Sequence, residues 1–83
     1  MKVSRNNIAE VLLDKQLEMI GKDRSILVSD DRWKFNNTMT REQLFEFKKY
    51  SIPLLQKTFR FRKSKAEETF ESFRKLFGVR IKN

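Results

Sequence analysis

The sequence of 83 residues contains no cysteine and no histidine. Without cysteine it has neither disulfides nor thiolate ligands for zinc, so the hydrophobic core alone must hold the fold, which fits a reducing compartment. Without histidine the commonest general base is missing. We therefore expect a non-enzymatic protein that uses no metal and no cofactor.

Glycine and proline are also scarce, with two glycines and one proline in the whole chain. Two glycines cannot build the glycine-rich loop that cradles phosphates in nucleotide-binding proteins. No apolar run approaches the roughly 18 residues that a membrane-spanning helix needs. Residues 1–7 lack the apolar block of a signal peptide. These absences predict a cytoplasmic protein with no membrane partner.

Positive charge and phenylalanine are abundant. Nineteen Lys/Arg oppose eleven Asp/Glu, for a net charge of +8. Residues 1–40 hold seven cations against six carboxylates, whereas residues 41–83 hold twelve against five. Such a basic half favours nucleic acid or an acidic protein as the partner. Eight phenylalanines supply the bulk of one core, and we expect a single small domain over residues 1–83.

Apolar residues recur at three- and four-residue spacing, which predicts amphipathic helices. The predicted helices lie near residues 7–20, 41–50, 51–59 and 65–77. Proline lacks an N–H group, so at Pro53 the helix either kinks or stops, with Ser51 capping a new helix in the second case. The predicted core consists of Ile8, Leu12, Leu13, Leu17, Leu44, Phe47, Leu55, Phe70, Phe73 and Phe77.

Short polar residues mark the predicted helix starts, because their side chains accept hydrogen bonds from free backbone N–H groups. The predicted caps are Asn7 or Ser4, Thr40 with Gln43, and Ser64 with Glu67. Gly21 and Gly78 are placed to end the first and last helices in the left-handed conformation.

Two segments show the alternation of a strand. In residues 25–36, a short stretch with two β-branched residues precedes Asp30-Asp31 and an alternating stretch follows it. This predicts a small hairpin or, because Asp-Asp is a weak turn former, a structured loop. Residues 79–82 alternate apolar with basic side chains and predict a short C-terminal strand. The expected fold is mainly α, with three to four short helices and a minor β element.

Residues 57–65 contain five cations and two phenylalanines without one carboxylate. Cations so close together repel one another, so the run favours a polyanionic partner. The predicted nucleic-acid-binding residues are Lys57, Arg60, Arg62, Lys63, Lys65, Arg80 and Lys82. Arg74 and Lys75 are predicted to extend the same patch. The alternative is a solvated turn between two helices with no ligand.

Trp33 lies between two basic residues, and it is either a core residue or an exposed contact for unpaired bases or a partner. Phe59 and Phe61 could stack on unpaired bases in the same way, but phenylalanine at this spacing is more often a core residue, and we expect both in the core. A rival hypothesis is a protein-interaction module, in which the cations steer an acidic protein to a groove lined by Trp33. A homodimer that completes the core is left open.

In length, lysine and phenylalanine content, single proline and near absence of glycine, the chain resembles the small uncharacterised proteins encoded in bacteriophage genomes. The resemblance implies a cytoplasmic protein of a phage-infected bacterium that modifies host nucleic-acid or protein machinery. It supplies no functional residues.

Overall fold

The computed structural model describes residues 6–30 and 32–82. In chain order their elements are α1 (Asn6–Met19), α2 (Ile26–Ser29), a 3-10 helix (Trp33–Asn36), β1 (Thr38–Met39), α3 (Arg41–Thr58), α4 (Lys63–Phe77) and β2 (Arg80–Ile81). The predicted class is confirmed: the protein is mainly α with a small β element.

The two longest helices, α3 and α4, form an antiparallel hairpin joined by residues 59–62. Phe47, near the middle of α3, packs edge-on against two rings of α4, with centroid distances of 5.1 Å to Phe70 and 5.7 Å to Phe73. Edge-to-face pairs are favoured because the positive rim of one ring meets the negative face of the other. The apolar stripe of α1 covers the same core from the α3 side.

The core matches the predicted set closely. Ile8, Leu12, Leu13, Leu17, Phe47, Leu55, Phe70 and Phe73 are buried. Leu44 and Phe77 pack against its edge and are partly exposed. Four further apolar residues are buried that were not in the predicted set: Trp33, Met39, Ala66 and Val79.

The predicted hairpin over residues 25–36 is wrong. Those residues form α2 and the 3-10 helix instead, and the carboxylate of Asp30 accepts the backbone N–H of Arg32 at 3.0 Å. Asp31 lies outside the described residues. The predicted C-terminal strand is confirmed as β2, which pairs in parallel with β1. The pairing itself could not be predicted, because a two-residue strand carries no local sequence signal for a partner about 40 positions away in the chain.

A buried amide pair ties α1 to this small sheet. Gln16 Nε2 donates to Asn37 Oδ1 at 2.7 Å, and Asn37 Nδ2 donates to the carbonyl oxygen of Phe77 at 2.9 Å. Both side chains are buried, and buried amides are costly unless they are paired. The pair therefore links α1, the segment before β1 and the end of α4.

Helix ends follow the predicted chemistry in part. The capping box of Thr40 and Gln43 is confirmed by both of its hydrogen bonds. Gly21 and Gly78 end α1 and α4 with φ of 72° and 64°. The cap at Asn7 is wrong, because Asn7 lies inside α1; Ser4 lies outside the described residues.

Pro53 neither stops α3 nor begins a new helix. The helix runs from Arg41 to Thr58 with Pro53 inside it. Ser51 is buried, and its hydroxyl donates to the carbonyl oxygen of Phe47 at 2.7 Å. Burial of Phe47 and Leu55 on either side of the proline holds the two halves of the helix on one core, which offsets the lost backbone hydrogen bond. The separate helix over residues 51–59 is therefore wrong.

Candidate nucleic-acid interface

The basic run forms the turn of the α3–α4 hairpin. Arg60 adopts φ of 57°, and the N–H groups of Phe59 and Phe61 both donate to the carbonyl oxygen of Leu55, at 3.1 and 3.3 Å. A left-handed residue lets a chain leave a helix abruptly, but it costs a residue with a Cβ atom about 1–2 kcal/mol. We call the five cations at this turn the hairpin tip: Lys57, Arg60, Arg62, Lys63 and Lys65.

The two phenylalanines of the basic run attach the hairpin tip to the core. Phe59 and Phe61 are half-buried against the core, with ring centroids 6.0 Å apart. The prediction that they belong to the core is confirmed. The backbone leaves α3 through Phe59, which is still helical, and Arg60, which is left-handed. The turn still separates aromatic side chains from cations, since the tip side chains are exposed.

The cations of the tip form no close ion pairs within the described residues. All five side chains are exposed, and none forms an ion pair with a carboxylate of residues 6–30 or 32–82. Arg24 shows the contrast, because it donates to both carboxylate oxygens of Asp14 at 2.6 and 2.9 Å. That bidentate hydrogen bond lowers the pKa of Asp14 below its ordinary value.

Two lysines of the tip occupy the first turn of α4. The helix begins at Lys63, with Arg62 at the cap position and no side-chain cap. The predicted capping box of Ser64 and Glu67 is therefore wrong: Ser64 lies inside the helix. Cations in a first helical turn face the positive end of the helix dipole, which is unfavourable. An external anion would relieve both this repulsion and the repulsion among the tip cations.

The C-terminal cations do not extend this patch. Because α4 has 15 residues and a helix rises about 1.5 Å per residue, the tip and β2 are about 22 Å apart. Arg80 and Lys82 lie at this far end, beside the start of α3, and we call it the strand end. Glu67, Glu68 and Glu71 lie along α4 between the two ends. The predicted single patch is thus two separate basic regions.

Trp33 is a core residue. It is 6% exposed, and its ring centroid lies 6.0 Å from that of Phe77. The core interpretation is confirmed, and the ring offers no surface for stacking or for the predicted partner groove. Burial follows from the 3-10 helix, which turns this side chain toward the end of α4.

Two surface features were missed from the sequence. The left-handed backbone of Arg60 leaves no signal in composition or spacing, because glycine is the residue expected there. The exposure of Phe45 did leave a signal in the sequence. At 100° per residue, Phe45 and Phe47 point about 200° apart on the helix, so both cannot face one core. Phe45 is 65% exposed, whereas Phe47 is fully buried.

Within the two described stretches, no helix of 18 or more residues is apolar enough to cross a bilayer. No cluster of three or more acidic side chains placed to hold a metal ion occurs in the same stretches. No family model, curated protein or solved structure matches the chain. The resemblance to bacteriophage proteins and the cytoplasmic location stay predictions.

Proposed function

We propose that this protein is a non-enzymatic nucleic-acid-binding protein whose hairpin tip grips the phosphate backbone without reading sequence. One observation carries the proposal: five exposed cations converge on one turn, and none of them is paired within the described residues. A polyanion would neutralise all five at once and release its own condensed counterions, which is the main source of non-specific affinity.

The surroundings of the tip favour phosphate contacts over base contacts. Base reading by a helix needs side chains of its first turns to enter a groove, and the second turn of α4 carries Glu67 and Glu68. Stacking on unpaired bases needs exposed rings, but Phe59 and Phe61 pack against the core. We therefore expect the protein to prefer duplexes, where phosphates are dense, over single strands.

The size of the tip sets the expected salt dependence. Five phosphate contacts on duplex nucleic acid give a slope of about −4.5 in log K against log salt. Affinity should then fall roughly 500-fold between 50 and 200 mM salt. Arg80 and Lys82 are not counted, because they lie at the strand end.

Fluorescence anisotropy with labelled 20-base-pair DNA and RNA duplexes, and with matching single strands, tests the proposal at these two salt concentrations. The variant Arg60→Glu/Arg62→Glu should lose at least about 100-fold in duplex affinity and lower the slope by about 1.8. The matched control is Lys22→Glu/Lys49→Glu, which changes the net charge equally at two exposed lysines outside the tip. It should keep most of the affinity and the full slope.

Two results would contradict the proposal. One is the absence of duplex binding at 50 mM salt. The other is an equal loss in both double variants, which would mean that binding follows net charge and has no defined site. The bacteriophage resemblance adds the proposal that the nucleic acid belongs to the infected bacterium; the type of nucleic acid is decided by the DNA and RNA duplexes compared.

A further inference from the structure

A groove at the strand end combines exposed apolar side chains with positive charge. It lies between the first turns of α3 and the end of α4, is open to solvent, and has a volume of about 260 Å³. This is below the roughly 300–1,000 Å³ of pockets that hold small molecules, so the groove suits one or two side chains of a larger partner. We call it the strand-end groove; its principal lining residues are Arg41, Leu44, Phe45, Lys48, Arg74 and Ile81.

Two exposed apolar side chains lie next to each other in the lining of the groove. Phe45 is 65% exposed and Ile81 is 39% exposed, and both line the groove. Leu44 is partly buried beside them. Exposed apolar side chains that gather in a concavity with a charged rim are characteristic of protein interaction sites.

The charge of the groove is positive. Arg41, Lys48 and Arg74 line it against one carboxylate, Glu71, which Arg74 already holds at 3.3 Å. Arg41 and Lys48 are exposed and form no ion pair with a carboxylate of the described residues. A partner that brings carboxylates would therefore meet two unpaired cations.

The other side of the Phe45 ring is acidic. Glu42 and Glu46 line a neighbouring depression together with Arg41 and Phe45. These carboxylates would repel the continuous phosphates of a nucleic acid strand, whereas a peptide can place its acids on one side only. A second copy of this chain is also disfavoured, because two copies each carry a net charge of +8.

We propose that the strand-end groove binds an acidic segment of a partner protein that inserts one aromatic or leucine side chain beside Phe45 and Ile81 and directs its carboxylates toward Arg41 and Lys48. The apolar anchor supplies most of the affinity, and the charges set orientation and association rate. This site is independent of the hairpin tip, so its test does not depend on nucleic-acid binding.

A fluorescein-labelled peptide, Glu-Asp-Leu-Phe-Asp-Asp-Leu, titrated with the whole protein at 50 mM salt, is the probe. Replacing its leucines and phenylalanine by serine, or its acids by their amides, should weaken binding. In the protein, Phe45→Ser should weaken binding about 10- to 100-fold, and Lys48→Glu about three- to tenfold.

Two variants outside the groove serve as matched controls. Lys49→Glu makes the same charge change at the next residue, which lines a different depression beside Tyr50. Val28→Ser removes an apolar side chain that is 90% exposed on α2. Both should leave peptide affinity within about twofold of the native value, because neither residue lines the groove. Thermal melting should show all four variants folded, since every changed side chain is exposed.

Three outcomes would overturn the proposal. The first is no peptide binding, or an equal loss in the controls. The second is a concentration-dependent dimer that Phe45→Ser abolishes in sedimentation velocity, which would assign the groove to a second copy. The third is a single-stranded oligonucleotide that binds more tightly than the peptide and loses affinity in Phe45→Ser, which would assign the groove to nucleic acid.

Discussion

The two ends of the α3–α4 hairpin both carry clustered cations, but they differ in what lies beside them. At the hairpin tip the aromatic side chains, Phe59 and Phe61, pack inward and the cations stand alone. At the strand end Phe45 and Ile81 remain exposed next to the cations. Charge without apolar surface suits a phosphate backbone, whereas charge with apolar surface suits a protein segment.

The separation of the two ends matters as much as their composition. They lie about 22 Å apart along α4, which is about twice the Debye length of roughly 10 Å at 0.1 M salt. Glu67, Glu68 and Glu71 lie between them. The excess positive charge of the protein, +8 in all, therefore acts at two separate places and not over one basic surface. A substitution at one end should leave the electrostatic potential at the other end nearly unchanged.

The largest expected effect comes from the hydrophobic core that supports both ends of the hairpin. Phe47→Ala removes a fully buried ring that contacts Phe70 and Phe73, and it should lower the free energy of unfolding by about 3–5 kcal/mol. That is a large part of the roughly 4–12 kcal/mol expected for a domain of this size. Urea unfolding measures the change, and binding at both ends should weaken together as the folded fraction falls.

Phe45→Ala is the control for this experiment, because it truncates the same side chain two residues away at an exposed position. Its unfolding free energy should stay within about 0.5 kcal/mol of the native value. Equal destabilisation by the two variants would contradict the assignment of Phe47 to the core.

The next largest effect should appear at the strand end and not at the hairpin tip. Asn37→Ala removes the partner of Gln16 and of the Phe77 carbonyl group, at a cost of about 1–3 kcal/mol. Amide hydrogen exchange should accelerate at Lys82, whose N–H donates to Met39 in the small sheet, more than at Phe61 in the tip. Asn36→Ala, at the exposed neighbouring residue, should leave both rates unchanged. Uniform acceleration at both amides would show that the ends are not independent.

The smallest effect concerns the backbone of the tip. Arg60→Gly relieves the strain of a left-handed residue and should raise the free energy of unfolding by about 0.5–1 kcal/mol after the entropy of glycine is subtracted. Arg60→Ala removes the same charge but keeps the strain, so the glycine variant should be the more stable of the two. Chemical denaturation of both variants provides the comparison.

Both Arg60 variants should lose duplex affinity equally, and their salt slope should fall by about 0.9. Loss of affinity in a protein that has become more stable cannot be attributed to unfolding. If the glycine variant binds as well as the native chain, Arg60 has no part in the interface.

Local sequence signals predicted the elements that depend on neighbouring residues. The spacing of Leu12, Leu13 and Leu17 identified α1, and that of Phe70, Phe73 and Phe77 identified α4. The capping box at Thr40 was predicted because both of its partners lie within three residues. Each of these signals acts over one or two helical turns.

Some predictions that failed were local, and others depend on distant contacts. Ser64 has the pattern of a cap, but α4 begins one residue earlier, at Lys63, so Ser64 lies inside its first turn. At Pro53 the sequence left a kink and a stop both open, and the helix runs through the proline with buried residues on both sides of it. The segment before β1 is helical, and β1 itself pairs with β2, about 40 positions further along the chain, instead of with a neighbouring strand.

For the candidate sites the division is similar. Composition and order along the chain alone established a basic, mainly helical domain whose densest run of cations lies between two helices, because charge and periodicity are properties of the chain itself. Packing alone decided that Trp33 is buried, that Phe45 is exposed, and that Arg80 and Lys82 lie a helix length away from Arg60 and Arg62. The distances between residues that are far apart in sequence are set only when the core folds. A binding surface depends on those distances, so the sequence alone could not define it.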